Sequence, residues 1–137
     1  MNPAPMPYVT ALYAGVIGLL LIVLAALVSR MRGRLKVGLG DGGHVELQRA
    51  IRVHANAVEW SLPYLLLMLL AELNRAPLPA LHTAGIALVV GRVLHASGVA
   101  RSSGRSFGRM TGTAITWFGL MALAIFDIWA GMRVVLL

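Results

Sequence analysis

A chain of 137 residues that is 58% hydrophobic and only 12% charged falls well short of the roughly one-quarter charged residues of an ordinary soluble domain and reads as a membrane protein. Its net charge of +7, from 12 Lys+Arg against 5 Asp+Glu, suggests nucleic acid as a partner, but basic loops between membrane spans explain the excess without one. With no cysteine, the chain has no disulfide framework, thiolate zinc site or thiol nucleophile of its own, so any thiol chemistry must arrive with a ligand.

Met1 to Ser29 carry no side-chain charge, and a first helix is predicted over about 6–30, long enough for the roughly 20 residues a bilayer needs. A cleaved signal peptide would open with Lys or Arg; here the start is neutral and the basic cluster follows the apolar run. That cluster is Arg30, Arg32, Arg34 and Lys36, and Gly38, Gly40, Asp41, Gly42 and Gly43 then mark a loop. The second helix is predicted over about 44–73, polar on one face in its first half and nearly pure hydrocarbon in its second (LPYLLLMLLAEL), with Pro63 expected to bend it or release a backbone hydrogen bond. After a short turn from Asn74 to Pro79, a third helix is expected over about 80–100, and a fourth over about 110–135 beyond the basic loop RSSGRSFGR.

The predicted fold is an all-α, four-transmembrane-helix bundle forming one domain over residues 1–137. Loops one and three hold seven basic residues (Arg30, Arg32, Arg34, Lys36, Arg101, Arg105, Arg109), against Arg75 and Arg133 on the other side. That asymmetry predicts cytoplasmic loops one and three, with both termini on the opposite side.

Polar residues at membrane depth are costly and mark function or helix pairing. On the second helix, Arg49, Arg52, Asn56 and Glu59 follow one another at steps of three, four and three, which gives them one face; His54 points elsewhere. On the third helix, Arg92 and His95 share a face near the same end. With Arg101, Arg105 and Arg109 above them, these groups suit a small ligand with carboxylates and an amine: guanidinium forks take carboxylates, Asn56 donates and accepts, and Glu59 takes an ammonium. The structural alternative is that Glu59 pairs with Arg52 or Arg92 and joins helices. Asp127 is expected to pair with Arg133 or a polar contact, and Tyr8, Trp117 and Trp129 to serve as interface anchors or packing. There is no GxGxxG, Walker motif, HExxH or nucleophile elbow, and no metal is expected.

The run R-x-H-x-N-x-x-E-x-x-x-P, here Arg52, His54, Asn56, Glu59 and Pro63, resembles the MAPEG family (membrane-associated proteins in eicosanoid and glutathione metabolism). Gly91 to His95, G-R-V-x-H, resembles the same family's prostaglandin E synthase branch. GDGGHVELQRAIRVHANAVE is closer still to a bacterial inner-membrane subgroup. The resemblance covers essentially the whole chain. It implies a homotrimer in the bacterial inner membrane, with glutathione as co-substrate between neighbouring subunits near the cytoplasmic side. Arg52, Asn56 and Glu59 match family glutathione-binding positions, His95 matches a His/Tyr position that contacts the ligand, and Arg92 matches an arginine of the helix-three motif. The thiol-activating arginine near the start of the fourth helix corresponds to Arg109 or Arg105. Four residues after the His/Tyr position the family often has a tyrosine; this chain has Val99.

The expected function is therefore a glutathione-dependent membrane enzyme, transferase- or peroxidase-like, acting on a lipophilic electrophile or hydroperoxide that arrives from the bilayer. The alternative is a non-enzymatic membrane protein (glutathione-binding module, transporter or assembly factor) whose polar stripe is structural.

Overall fold

The computed structural model describes residues 6–101 and 106–135. They form four helices: α1 (Tyr8–Leu35), α2 (Val45–Leu73), α3 (Leu78–Arg101) and α4 (Phe107–Val135). All four are long and apolar enough to cross a membrane, and no strand occurs among the described residues. Helices of 24 to 29 residues are about 36–44 Å long at 1.5 Å per residue, more than the roughly 30 Å hydrocarbon core.

α1 continues to Leu35, past the predicted end, through Gly33, because Met31, Leu35 and the arginines are good helix formers and basic side chains favour the negative end of the helix dipole. Lys36 then turns left-handed (φ 55°), and the Val37 N–H closes back on the Arg32 carbonyl at 3.0 Å. α2 runs through Pro63 unbroken; the missing N–H leaves the Glu59 carbonyl without its intrahelical donor. α3 starts earlier than predicted, at Leu78, with Pro77 just before it and Pro79 in its first turn. Prolines fit there because first-turn N–H groups have no intrahelical acceptor anyway.

The opposite end of α1 has a device that composition does not reveal. Glu72, near the end of α2 and 7% exposed, accepts hydrogen bonds from the Val9 and Thr10 N–H groups at 2.8 and 2.7 Å. The start of α1 has no side-chain cap of its own. A carboxylate from a neighbouring helix fills that role and lies against the positive end of the α1 dipole. Around it lies the larger apolar core, which includes Tyr13, Ile17, Tyr64, Met68 and Leu81. The fully buried Tyr64 hydroxyl donates to the Ala84 carbonyl at 2.8 Å, and Tyr13 hydrogen-bonds His82 at 3.1 Å.

α3 and α4 approach backbone to backbone. A methyl group on Gly112 would strike the Gly91 carbonyl and the backbone of His95, and one on Gly98 would strike the first turn of α4. Small residues at such a crossing let membrane helices approach closely. Here that approach brings Arg92, His95 and Val99 of α3 beside Arg109 and Thr116 of α4.

Candidate functional site

At the end bearing loops one and three, α2, α3 and α4 enclose a cavity of about 190 Å³ lined by Gln48, Arg49, Arg52, Asn56, His95, Val99 and Arg109. The α2 residues arrive by helical spacing, as the sequence predicts. His95 and Val99, 6% and 8% exposed, come from α3. Arg109 comes from the first turn of α4, held close by the Gly98 contact. Arg105 lies outside the described residues.

Arg92 occupies a different position from the other predicted ligand residues. It is only 2% exposed and stands behind the cavity wall. Its Nη1 donates to Asn56 Oδ1 at 2.9 Å. Its Nη2 donates to Thr116 Oγ1 at 2.7 Å and to the Gly112 carbonyl at 3.2 Å, and its Nε reaches Thr116 Oγ1 at 3.2 Å. Thr116 in turn donates to the Gly112 carbonyl at 2.9 Å. One guanidinium thus ties α2, α3 and α4 together through neutral oxygens, a use of the planar fork that lysine cannot reproduce. Because Arg92 holds the Asn56 oxygen, the Asn56 amide NH₂ remains as that side chain's donor.

Glu59 does not line the cavity. It faces outward and pairs with Arg52 at 3.8 Å, the two side chains 52% and 62% exposed. Of the two ion-pair partners open to Glu59 in the sequence, the fold pairs it with Arg52, while Arg92 turns to Asn56 and Thr116. The expectation that Asp127 pairs with Arg133 fails. The Arg133 guanidinium sits over the Trp129 ring at 4.7 Å, and both Asp127 carboxylate oxygens are buried without a hydrogen-bond partner among the described residues. Six positions from Asp127 to Arg133 are too far along a helix for the two to meet on one face.

A second cavity, of about 390 Å³ and mostly apolar, abuts the first between α1, α2 and α3. It is lined by Leu24, Leu27, Met31, Glu46, Arg49, Ala50, Val53, Ala96 and Ser97. Arg49 lines both cavities. Sequence reasoning misses this second space, because the apolar face of α1 carries no sign of where it is left uncovered. It also misses Thr116, one of three threonines between Thr111 and Thr116, with nothing in its spacing to relate it to Arg92.

Fold and cavity together define a four-helix integral membrane protein with a cationic recess at one end. The chain belongs to the MAPEG family, whose model matches residues 10–129. It is 40% identical over 121 residues to the inner membrane protein YecN of Escherichia coli K12, covering 88% of this chain and 91% of that protein. YecN of Escherichia coli O6:H1 matches to the same extent.

Proposed function

We propose that this protein is a glutathione-dependent enzyme of the bacterial inner membrane, acting as a homotrimer on lipophilic electrophiles or hydroperoxides. The observation that carries this reading is the recess itself. Arg49, Arg52 and Arg109 line a cavity of about 190 Å³ together with Asn56 and His95, and no carboxylate lines it among the described residues. Glutathione carries two carboxylates, an ammonium and a thiol. Two carboxylates suit paired guanidinium forks, and the peptide groups suit the Asn56 amide. The amine reaches Glu59 across the outer face of α2. There Arg52 and Glu59, charged and more than half exposed, would be costly against lipid; a neighbouring subunit covering that face supports the trimer.

In this mechanism Arg109 is the thiol-activating residue. It lines the cavity from the first turn of α4, where its own charge and the positive helix end both favour a thiolate. The thiol proton passes to solvent. The thiolate then attacks an electrophilic carbon, forming the thioether and expelling the leaving group. With a hydroperoxide it attacks the distal oxygen, releasing an alcohol, and a second glutathione resolves the sulfenic acid to disulfide and water. The basic residues of loops one and three support a cytoplasmic site, where glutathione is available. The inner-membrane location named for the Escherichia coli relative supports the same reading.

Val99 favours a second reading, a binding module without efficient turnover, since it lines the recess where related enzymes often carry a tyrosine. Calorimetric titration of the purified protein with glutathione and S-hexylglutathione, followed by turnover assays with chlorodinitrobenzene and cumene hydroperoxide, separates the readings. Binding with turnover supports the enzyme, binding alone the module. Absence of binding leaves the polar stripe as helix pairing.

A further inference from the structure

We propose that Thr116 is a positioning residue for the recess: acting through Arg92, it fixes the Asn56 side chain with its NH₂ turned to the cavity, so that this wall takes only hydrogen-bond acceptors of the ligand. The orientation stands on geometry alone; the ligand it selects rests on the glutathione reading above.

Thr116 is fully buried and Arg92 is 2% exposed, so their donors and acceptors find partners within the protein. A hydroxyl has one proton and two lone pairs. The Thr116 proton goes to the Gly112 carbonyl at 2.9 Å, and its lone pairs take Arg92 Nε at 3.2 Å and Nη2 at 2.7 Å. The hydroxyl is thereby fully used and cannot turn. Nη2 also meets the Gly112 carbonyl at 3.2 Å. The Nε and Nη2 side of the guanidinium is thus held on α4. The rigid fork then presents Nη1 to α2, where it donates to Asn56 Oδ1 at 2.9 Å. Gly91, next to Arg92, leaves room for this arrangement: a methyl group there would stand 2.7 Å from Thr116 Oγ1.

Arginine carries no acceptor. The Asn56 atom that faces Arg92 must therefore be the oxygen. The flipped amide would set NH₂ against N–H and leave buried donors without acceptors, which is costly at membrane depth. Held in this way, the amide turns its NH₂ to the other side, into the recess that Asn56 lines. Arg49, Arg52 and Arg109, on the same lining, are donors as well. A freely flipping Asn56 would take an ammonium or an amide N–H through its oxygen. The fixed one takes a carbonyl or carboxylate oxygen. The recess thereby favours one pose of glutathione, with an oxygen at Asn56 and the amine away from it, on the Glu59 side. Thr116 reaches this selection from behind the wall, since it does not line the recess.

The test uses the full chain in mild detergent with ¹⁵N-labelled asparagine. The chain has three asparagines, Asn2, Asn56 and Asn74, and Asn56→Ala identifies the signal. Without ligand, ¹⁵N relaxation of the Asn56 NH₂ should give an order parameter near that of rigid backbone, about 0.85, and Thr116→Val should lower it below about 0.6. Thr116→Ser, which keeps the hydroxyl, should leave it unchanged. In calorimetry, Thr116→Val should raise the glutathione Kd about fivefold, the loss of roughly one hydrogen bond, and Thr116→Ser should not. In an Asn56→Ala background the valine substitution should change the Kd by less than about twofold, because the group it positions is gone. A merely structural threonine would weaken binding equally in both backgrounds. Thr116→Cys, close to threonine in size and a poor acceptor, replaces the valine variant if that does not fold. An Asn56 amide equally rigid with threonine, valine and cysteine at 116 would overturn the positioning role, as would equal effects on Kd in the two backgrounds. An amide that loosens while the glutathione Kd stays unchanged overturns the selection. If the amide responds as expected and the wild type binds no glutathione, the functional reading above fails while the orientation of Asn56 stands.

Discussion

At the end of the bundle that carries the chain termini, Tyr13, Ile17, Tyr64 and Met68 pack into one core, and the polar groups Glu72, Tyr64 and Tyr13 reach defined partners within it. At the basic end the packed cluster shrinks to four residues, and two cavities open beside it. The contrast follows from what each end is for. Glu72, Tyr64 and Tyr13 are satisfied inside the protein, because an unsatisfied polar group in hydrocarbon is expensive; Asp127 is an exception. At the basic end Arg49, Arg52 and Arg109 line the recess. Arg92 stands between the two regimes: it belongs to the basic end by position, but it is buried and bonded like a residue of the packed end.

Substitutions at each end should separate these roles. The largest effect is expected for Gly112→Leu, whose side chain has no room against Gly91 and His95. It should destabilise by about 3 kcal/mol, the upper end for overpacking, seen as a lowered melting temperature with loss of glutathione binding. Arg52→Ala should weaken glutathione binding by about 1.5–3 kcal/mol in calorimetry while lowering the melting temperature far less than Gly112→Leu, because Arg52 lines the recess and its pair with Glu59 lies outside the packed core of the subunit. Glu72→Ala should do the reverse. It removes the cap on α1 and should cost about 1–2 kcal/mol of stability, with the glutathione Kd unmoved. An equal effect of these two variants on both measurements would erase the distinction between the ends.

Arg109→Ala sharpens the comparison within the site. Binding should fall by less than about 1 kcal/mol, whereas turnover falls further, since the interaction is concentrated on the thiolate. The ultraviolet titration of bound glutathione should move up toward a free thiol, about 8.5 or slightly above. The smallest effect is expected for His54→Ala, which lies off the cavity lining and should leave glutathione binding within about 0.5 kcal/mol, as surface changes away from such features do.

The sequence alone determines that there are four membrane helices, which end carries the positive charge, and that Arg49, Arg52, Asn56 and Glu59 share a face, because apolar length and helical period are local properties. It does not determine which neighbour that face meets. In a membrane, lipid is as apolar as leucine, so the outward and inward faces of an apolar helix look alike. Four decisions were therefore left to tertiary structure. The glycine crossing of α3 and α4 set Arg92 against Asn56 and Thr116, making it a clamp behind the recess. α1 ends up capped by a carboxylate 63 residues away in sequence. Glu59 turned outward to Arg52. The path of α1 past α2 and α3 left an apolar space beside Arg49. Each depends on contacts between residues distant in sequence, and no period within one helix encodes them.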